Sequence, residues 1–302
     1  MSVLVAGGWN MTQRRDSGAL EEIVDVDLIS TNALLANKKL AKLPIGAGRI
    51  PSLFVHGEYV LICGGDGNIF TCLKHDNDTW TKHSTLNNAR GSSSAVTTSD
   101  GTYIFGAGLV GSTDNYEFLP KNSAVWQAGK TKIPDKFYLG CAVEVPEKNQ
   151  ILLIGGYGKV NRILKFDTVN EEFEELNVSL QNGRVRHTCA RLPNTNLIAI
   201  AGGEFNGKLA TTEILNLEDN TITPGNAMNT KRSTHGMGVI TIGNEDRLAV
   251  FGNGDSGNDS FDLETLNPST RMWEVSILNI GRLEEKFSFG YISLPNDFIS
   301  KL

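Results

Sequence analysis

Arginine recurs along this 302-residue chain just ahead of apolar runs, at Arg49, Arg90, Arg184, Arg186, Arg232 and Arg282. Lys136 takes the corresponding place in a further stretch. A guanidinium is a planar fork of donors suited to carboxylate or phosphate oxygens, and each charge-assisted bond contributes about 1.5–3 kcal/mol when partly buried. His187 and His235 each follow one of these arginines by three residues, as a metal-ligating pair or as packing residues. Trp9 and Tyr157 stand directly after paired glycines and Phe205 one residue further on, where an aromatic ring can meet a ligand. Together these residue types point to the binding of an acidic group. If Glu204 stands beside Arg186 and Arg232, the same groups suit a sugar acid.

Residues so far apart need a repeated scaffold to bring them together. Apolar runs ending in glycine recur at Gly7-Gly8, Gly64-Gly65, Gly106/Gly108, Gly155-Gly156, Gly202-Gly203 and Gly252/Gly254. Their first glycines are 57, 42, 49, 47 and 50 residues apart, a mean of 49. Residues 182–203 give the clearest copy, with an Arg/His-rich lead, a first strand, a Pro-Asn-Thr-Asn turn and a second strand ending in the glycines. A period near 50 with four short strands per unit is that of a propeller blade. A second marker lies in the outer half of the unit. Lys74, Pro120, Asp167, Asn216 and Asn267 are each followed six residues later by Trp80, Trp126, Phe173, Ile222 and Trp273.

Paired glycines, a turn and an outer-strand Trp together resemble the kelch repeat, and the resemblance covers essentially the whole chain. It implies one all-β domain over residues 1–302, a six-bladed kelch-type β-propeller with four antiparallel strands per blade. The first unit lacks an inner strand, and residues 287–294 are one strand too many at the other end. The ring is therefore expected to close by pairing the C-terminal strand with the N-terminal blade, which also hides both sheet edges. The resemblance extends to the kelch domains of BTB–kelch substrate adaptors, which grip acidic peptide motifs, although no BTB or BACK module is present in the sequence.

Loops that enter inner strands and loops that leave second strands share one face. By sequence they hold 15 of the 28 Lys and Arg but 9 of the 34 Asp and Glu, an excess of six positive charges on a chain whose net charge is −6. The expectation is a protein- or peptide-binding scaffold that recognises an acidic partner with Arg49, Arg90, Arg186, Arg232, Arg282, Tyr157 and Phe205. The alternative is a small-molecule enzyme of the sugar-acid mutarotase or galactose-oxidase-like kelch type. The latter resemblance requires a Cys-crosslinked Tyr, a second Tyr and two His, and no Tyr lies near His187 or His235 in the sequence. No acid/base pair is identified, and neither cofactor nor metal is expected.

The basic loops carry no dense basic run with interleaved aromatics, which argues against nucleic acid. No apolar run reaches the roughly 20 residues of a membrane helix. Cys63, Cys72, Cys141 and Cys189 lack zinc-ligand spacing and read as buried thiols, although a turn at Gly67-Asn68 would set Cys63 opposite Cys72. Because residues 1–8 already read as a strand, a monomeric cytoplasmic protein is expected. Ser300-Lys301-Leu302 gives a peroxisomal alternative, and Asn10, Asn77, Asn177 and Asn258 lie in N-glycosylation sequons.

Overall fold

The computed structural model describes residues 2–6, 9–14, 20–22, 26–30, 38–45, 52–65, 70–106, 114–252, 263–275, 286–287 and 290–294. Its strands form antiparallel sheets arranged as a β-propeller. Blade 1 comprises Ser52–His56, Tyr59–Cys63, Thr71–Asp76 and Thr79–Thr85, and blade 2 comprises Ser94–Thr97, Gly101–Phe105, Tyr116–Pro120 and Gln127–Ala128. Blade 3 comprises Cys141–Val145, Gln150–Ile154, Ile163–Asp167 and Glu172–Glu175. Blade 4 comprises Thr188–Arg191, Leu197–Ala201, Thr212–Asn216 and Thr221–Gly225, and blade 5 Gly236–Ile242, Glu245–Phe251, Leu263–Leu266 and Trp273–Val275.

The expectation of a six-bladed propeller is corrected: the propeller has five blades of four strands, not six. The unit around the first glycine pair has no inner strand of its own, so it does not fold as a consecutive blade. A composite sheet forms from the two ends of the chain instead, in the order Gly290–Leu294, Ser2–Ala6, Val26–Ser30, Lys38–Lys39. Ser2–Ala6 pairs with Gly290–Leu294 in the register Val3 to Ser293 and Val5 to Tyr291. Trp9–Arg14, which lies between Ser2–Ala6 and Val26–Ser30 in sequence, joins Leu20–Glu22 and Lys286–Phe287 in a separate three-stranded sheet. Leu20–Glu22 and Lys38–Lys39 are short strands.

The inner strands of successive blades are neighbours, and Gly290–Leu294 lies beside those of blades 1 and 5, so they surround one axis. The second strands are the core of each blade. Tyr59–Cys63, Gln150–Ile154 and Leu197–Ala201 are buried along nearly their whole length, as suits apolar runs covered on both faces. Packing runs from blade to blade. Tyr103, Phe105 and Tyr116 of blade 2 meet Ile151, Leu153 and Phe166 of blade 3. Ile154 and Ile163 of blade 3 meet Ile198, Ile200 and Leu215 of blade 4. Each such side chain contributes about 1.5–3 kcal/mol by leaving water. The outer strand Glu172–Glu175 is the contrary case: three glutamates keep its edge charged and exposed.

Candidate functional site

The loops that enter the inner strands begin with a buried apolar anchor, namely Leu86, Ile133, Leu180 and Met228 in blades 2 to 5. Their amides donate to Phe70, Asp114, Asn161 and Ala210 carbonyls at 2.7–2.9 Å, which pins each loop at the same point. Four residues on, Arg90, Arg184 and Arg232 occupy blades 2, 4 and 5, all three completely buried.

Each arginine meets a buried glutamate from the third strand of its own blade. Arg90 Nη2 lies 2.9 Å from Glu117, Arg184 Nη2 2.6 Å from Glu213, and Arg232 Nη2 3.0 Å from Glu264. The Nη1 groups donate to the carbonyls of Gly106, Gly202 and Gly252 at 2.6, 2.9 and 3.0 Å. The carboxylates also gather the loop backbone. Glu117 accepts from the amides of Asn87 and Asn88, Glu213 from Gln181 and Asn182, and Glu264 from Asn229 and Thr230. Burial draws the pKa of Arg90 and Arg184 below the ordinary guanidinium value, against the opposing pull of their glutamates. A buried charge is tolerated only with such complete pairing.

The same arginines join neighbouring blades. Their carbonyls accept the amides of Gly65, Gly156 and Gly203, the second members of glycine pairs, at 2.9, 3.0 and 2.8 Å. Both glycines of each pair have positive φ, and a Cβ on Gly64 would lie 2.2 Å from the Arg90 carbonyl oxygen.

Two expected binding residues, Arg90 and Arg232, are thereby corrected: each is enclosed by its glutamate and by backbone, with no exposed surface. Arg49 and Arg282 lie outside the described residues. Blade 3 brings a further correction. Phe137, not Lys136, stands four residues after the anchor, and Leu164 takes the glutamate position. Both are buried, and Pro134, which has no amide to satisfy, replaces Asn87, Gln181 or Asn229. The Phe137 carbonyl still abuts Gly106 as that of Arg90 abuts Gly64. An ion pair and its bonded amide have been exchanged together for apolar groups.

The residues two places before the inner strands line the mouth of the axis. Ser92, Leu139, Arg186 and Thr234 all have positive φ, from 48° to 59°. A β-branched residue such as Thr234 adopts this backbone only at a cost of about 1–3 kcal/mol. Backbone bonds hold the set: the amide of Leu139 donates to Ser92, Arg186 to Leu139 and Thr234 to Arg186, at 3.1, 2.6 and 2.8 Å. The result is a belt of amides passing from blade 2 to blade 5.

Arg186, unlike its buried neighbour Arg184, is exposed on this belt and bonds Glu204. The sugar-acid arrangement needed Arg232 as well, and that arginine belongs to Glu264. Tyr157 is 43% exposed and stacks on Tyr138, with ring centroids 4.7 Å apart and planes 8° from parallel. Its amide donates to the Tyr138 carbonyl at 2.9 Å, which fixes the pair. Phe205, 54% exposed, caps a tight turn closed by its amide to Gly207.

His187 and His235 are buried packing groups. Their Cε1 atoms lie 2.7 Å from where Gly155 and Gly202 would carry a Cβ, and Thr188 Oγ1 lies 2.9 Å from His235 Nε2. Desolvation, reinforced by Arg184, pushes the His187 pKa down to about 3, and desolvation with Arg232 holds His235 well below its usual value. Among the described residues no three His, Cys, Asp or Glu side chains gather as metal ligands.

The reading of isolated thiols is corrected as well. Cys63 bonds Cys72 directly across blade 1, and Cys141 bonds Cys189 between the inner strands of blades 3 and 4. No membrane-spanning helix is found among the described residues. Neither known family models nor curated proteins give a match to this chain.

Proposed function

We propose that this β-propeller is a scaffold that binds a protein or peptide over the mouth of its axis, with Tyr157, Phe205 and Arg186 as the recognising side chains. The observation that carries the reading is the Tyr138/Tyr157 stack, an aromatic pair kept partly in solvent by a backbone bond rather than turned into a core. Exposed aromatic and Arg side chains on a rigid support are the groups that dominate binding energy at interfaces.

An acidic ligand fits the electrostatics. The three enclosed arginines are neutralised by glutamates, so the loop excess of six positive charges falls to three. Arg186 is the exposed cation of the belt, and Glu204 occupies it in the way a ligand carboxylate would. The resemblance of the repeat to kelch propellers is in keeping with this use of the face.

The test is selection of peptides from a random library on the purified chain, followed by fluorescence anisotropy with the best binder. Acidic residues flanking an apolar anchor should dominate the selected set. Tyr157→Ala and Phe205→Ala should each weaken binding about tenfold or more, the equivalent of roughly 1.4 kcal/mol. Binders without acidic residues, or affinity indifferent to both variants, would refute the proposal.

A further inference from the structure

All four cysteines are paired, and no free thiol is left. Cys63 and Cys72 are fully buried with Cα atoms 4.1 Å apart, while Cys141 and Cys189 stand 5.9 Å apart on neighbouring blades. The enclosed sulfurs of Cys63 and Cys72 are out of reach of a thiol-exchange partner once the blades have closed, so that bond must form while the chain folds; Cys189 is partly buried, and its bond to Cys141 joins two blades. A reducing cytosol opposes that outcome, and an oxidising compartment favours it.

A second feature points the same way. Asn77-Asp78-Thr79 forms the tip of the hairpin between the third and fourth strands of blade 1, with φ of 50° and 55° at its first two residues and all three exposed. Asn177-Val178-Ser179 lies in the connection leaving the outer strand of blade 3, with Asn177 and Ser179 exposed. Both sequons lack proline at the middle position and expose their Asn and hydroxyl residues; in the first, Asp78 Oδ1 accepts the Ala41 amide at 3.1 Å, while Asn77 and Thr79 stay in solvent. Asn258 lies outside the described residues, and of Asn10 only the strand backbone is described.

We propose that the chain matures in an oxidising, secretory-type compartment, where both disulfides close and Asn77 and Asn177 receive N-linked oligosaccharide. This replaces the cytoplasmic location expected from the sequence. For each disulfide, two thiols give two electrons and two protons to the disulfide of a thiol oxidoreductase, which leaves as a dithiol. In glycosylation, the asparagine amide nitrogen bonds to the anomeric carbon of a lipid-pyrophosphate-linked oligosaccharide. The sugar–phosphate bond breaks, the lipid pyrophosphate departs with the electron pair, and the amide loses one proton.

The test is peptide mapping of the protein isolated from its own cells, with cells lysed directly into denaturant and alkylating reagent before any reductant, and glycans released enzymatically. The expected result is no cysteine alkylated until reductant is added, with residues 77 and 177 converted from Asn to Asp on release. Alkylation of all four cysteines at lysis would overturn the compartment assignment. An unmodified Asn77 or Asn177 in the native protein would remove that site. In eukaryotic cells secreting the full chain behind an added leader, N77Q and N177Q should each abolish one endoglycosidase-sensitive mobility step, and an unchanged ladder would count against the assignment.

Discussion

Blade 3 holds with Pro134, Phe137 and Leu164 what blade 2 holds with Asn87, Arg90 and Glu117, and this natural exchange makes the arginine network testable. Glu117→Leu alone would strand a guanidinium with no solvent exposure, and breaking a buried pair this way costs about 3–5 kcal/mol. It would also orphan the amides of Asn87 and Asn88, each worth about 1–3 kcal/mol. These losses share one network and do not simply add, so a total near 5 kcal/mol is expected, a large part of the roughly 5–15 kcal/mol that stabilises a domain. The triple variant N87P/R90F/E117L removes the charge and one orphaned amide, and places apolar groups where blade 3 has them. It should return to within about 2 kcal/mol of the parent, the remainder being the Asn88 amide and imperfect packing. Equilibrium urea unfolding followed by tryptophan fluorescence reads both. A single variant within about 1 kcal/mol of the parent, or a triple variant no more stable than the single, would refute the reasoning.

Further outcomes follow from the same structure. The pKa of His187 is pushed to about 3 in the fold against about 6.5 in the unfolded chain, so as pH falls below 6.5 the unfolded state takes up a proton that the fold refuses. Its contribution to stability is therefore full above pH 6.5 and declines toward pH 3, by about 2 kcal/mol at pH 5; urea midpoints of the parent should show this fall, and those of His187→Gln a shallower one. Gly106→Ala would set a methyl 1.8 Å from the Phe137 carbonyl oxygen at φ +65° and should cost about 3 kcal/mol or more, whereas Gly243→Ala, at φ +63° in open space, should cost about 1 kcal/mol; thermal unfolding separates them. Replacing both Cys141 and Cys189 with Ser releases a bridge of sequence separation 48 and should cost about 4 kcal/mol in the loop-entropy description, read by urea unfolding without reductant.

The propeller was legible because glycine pairs and apolar second strands act locally. Gly64-Gly65, Gly155-Gly156 and Gly202-Gly203 turn the chain wherever they occur, so their spacing reports the repeat. The count of blades was not legible, because whether Trp9–Arg14 and Leu20–Glu22 enter a blade depends on pairing with Lys286–Phe287 at the far end of the chain. The arginines misled for a related reason. Arg184 and Arg186 are two residues apart, yet one is enclosed and the other exposed, and the difference lies in Glu213, which is distant in sequence. A signal for it was present: Tyr116–Pro120, Thr212–Asn216 and Leu263–Leu266 all carry glutamate at the second position, whereas Ile163–Asp167 carries Leu164. Reading that column beside the arginine column would have divided structural from exposed charges. The positive φ at Leu139, Arg186 and Thr234 left no such mark, since residues with side chains adopt it there under the hold of neighbouring blades.

The division of labour between buried and exposed arginines is the centre of this account, and paired variants test it most directly. Arg186→Glu and Arg232→Leu would be compared for unfolding midpoint and for affinity toward the selected acidic peptide. Arg186→Glu should keep the parental midpoint, since an exposed ion pair contributes about 0–1 kcal/mol, and should lose at least tenfold in affinity. Arg232→Leu should instead lose several kcal/mol of stability by leaving Glu264 buried without its partner. Parental affinity in Arg186→Glu, or parental stability in Arg232→Leu, would contradict this division of labour.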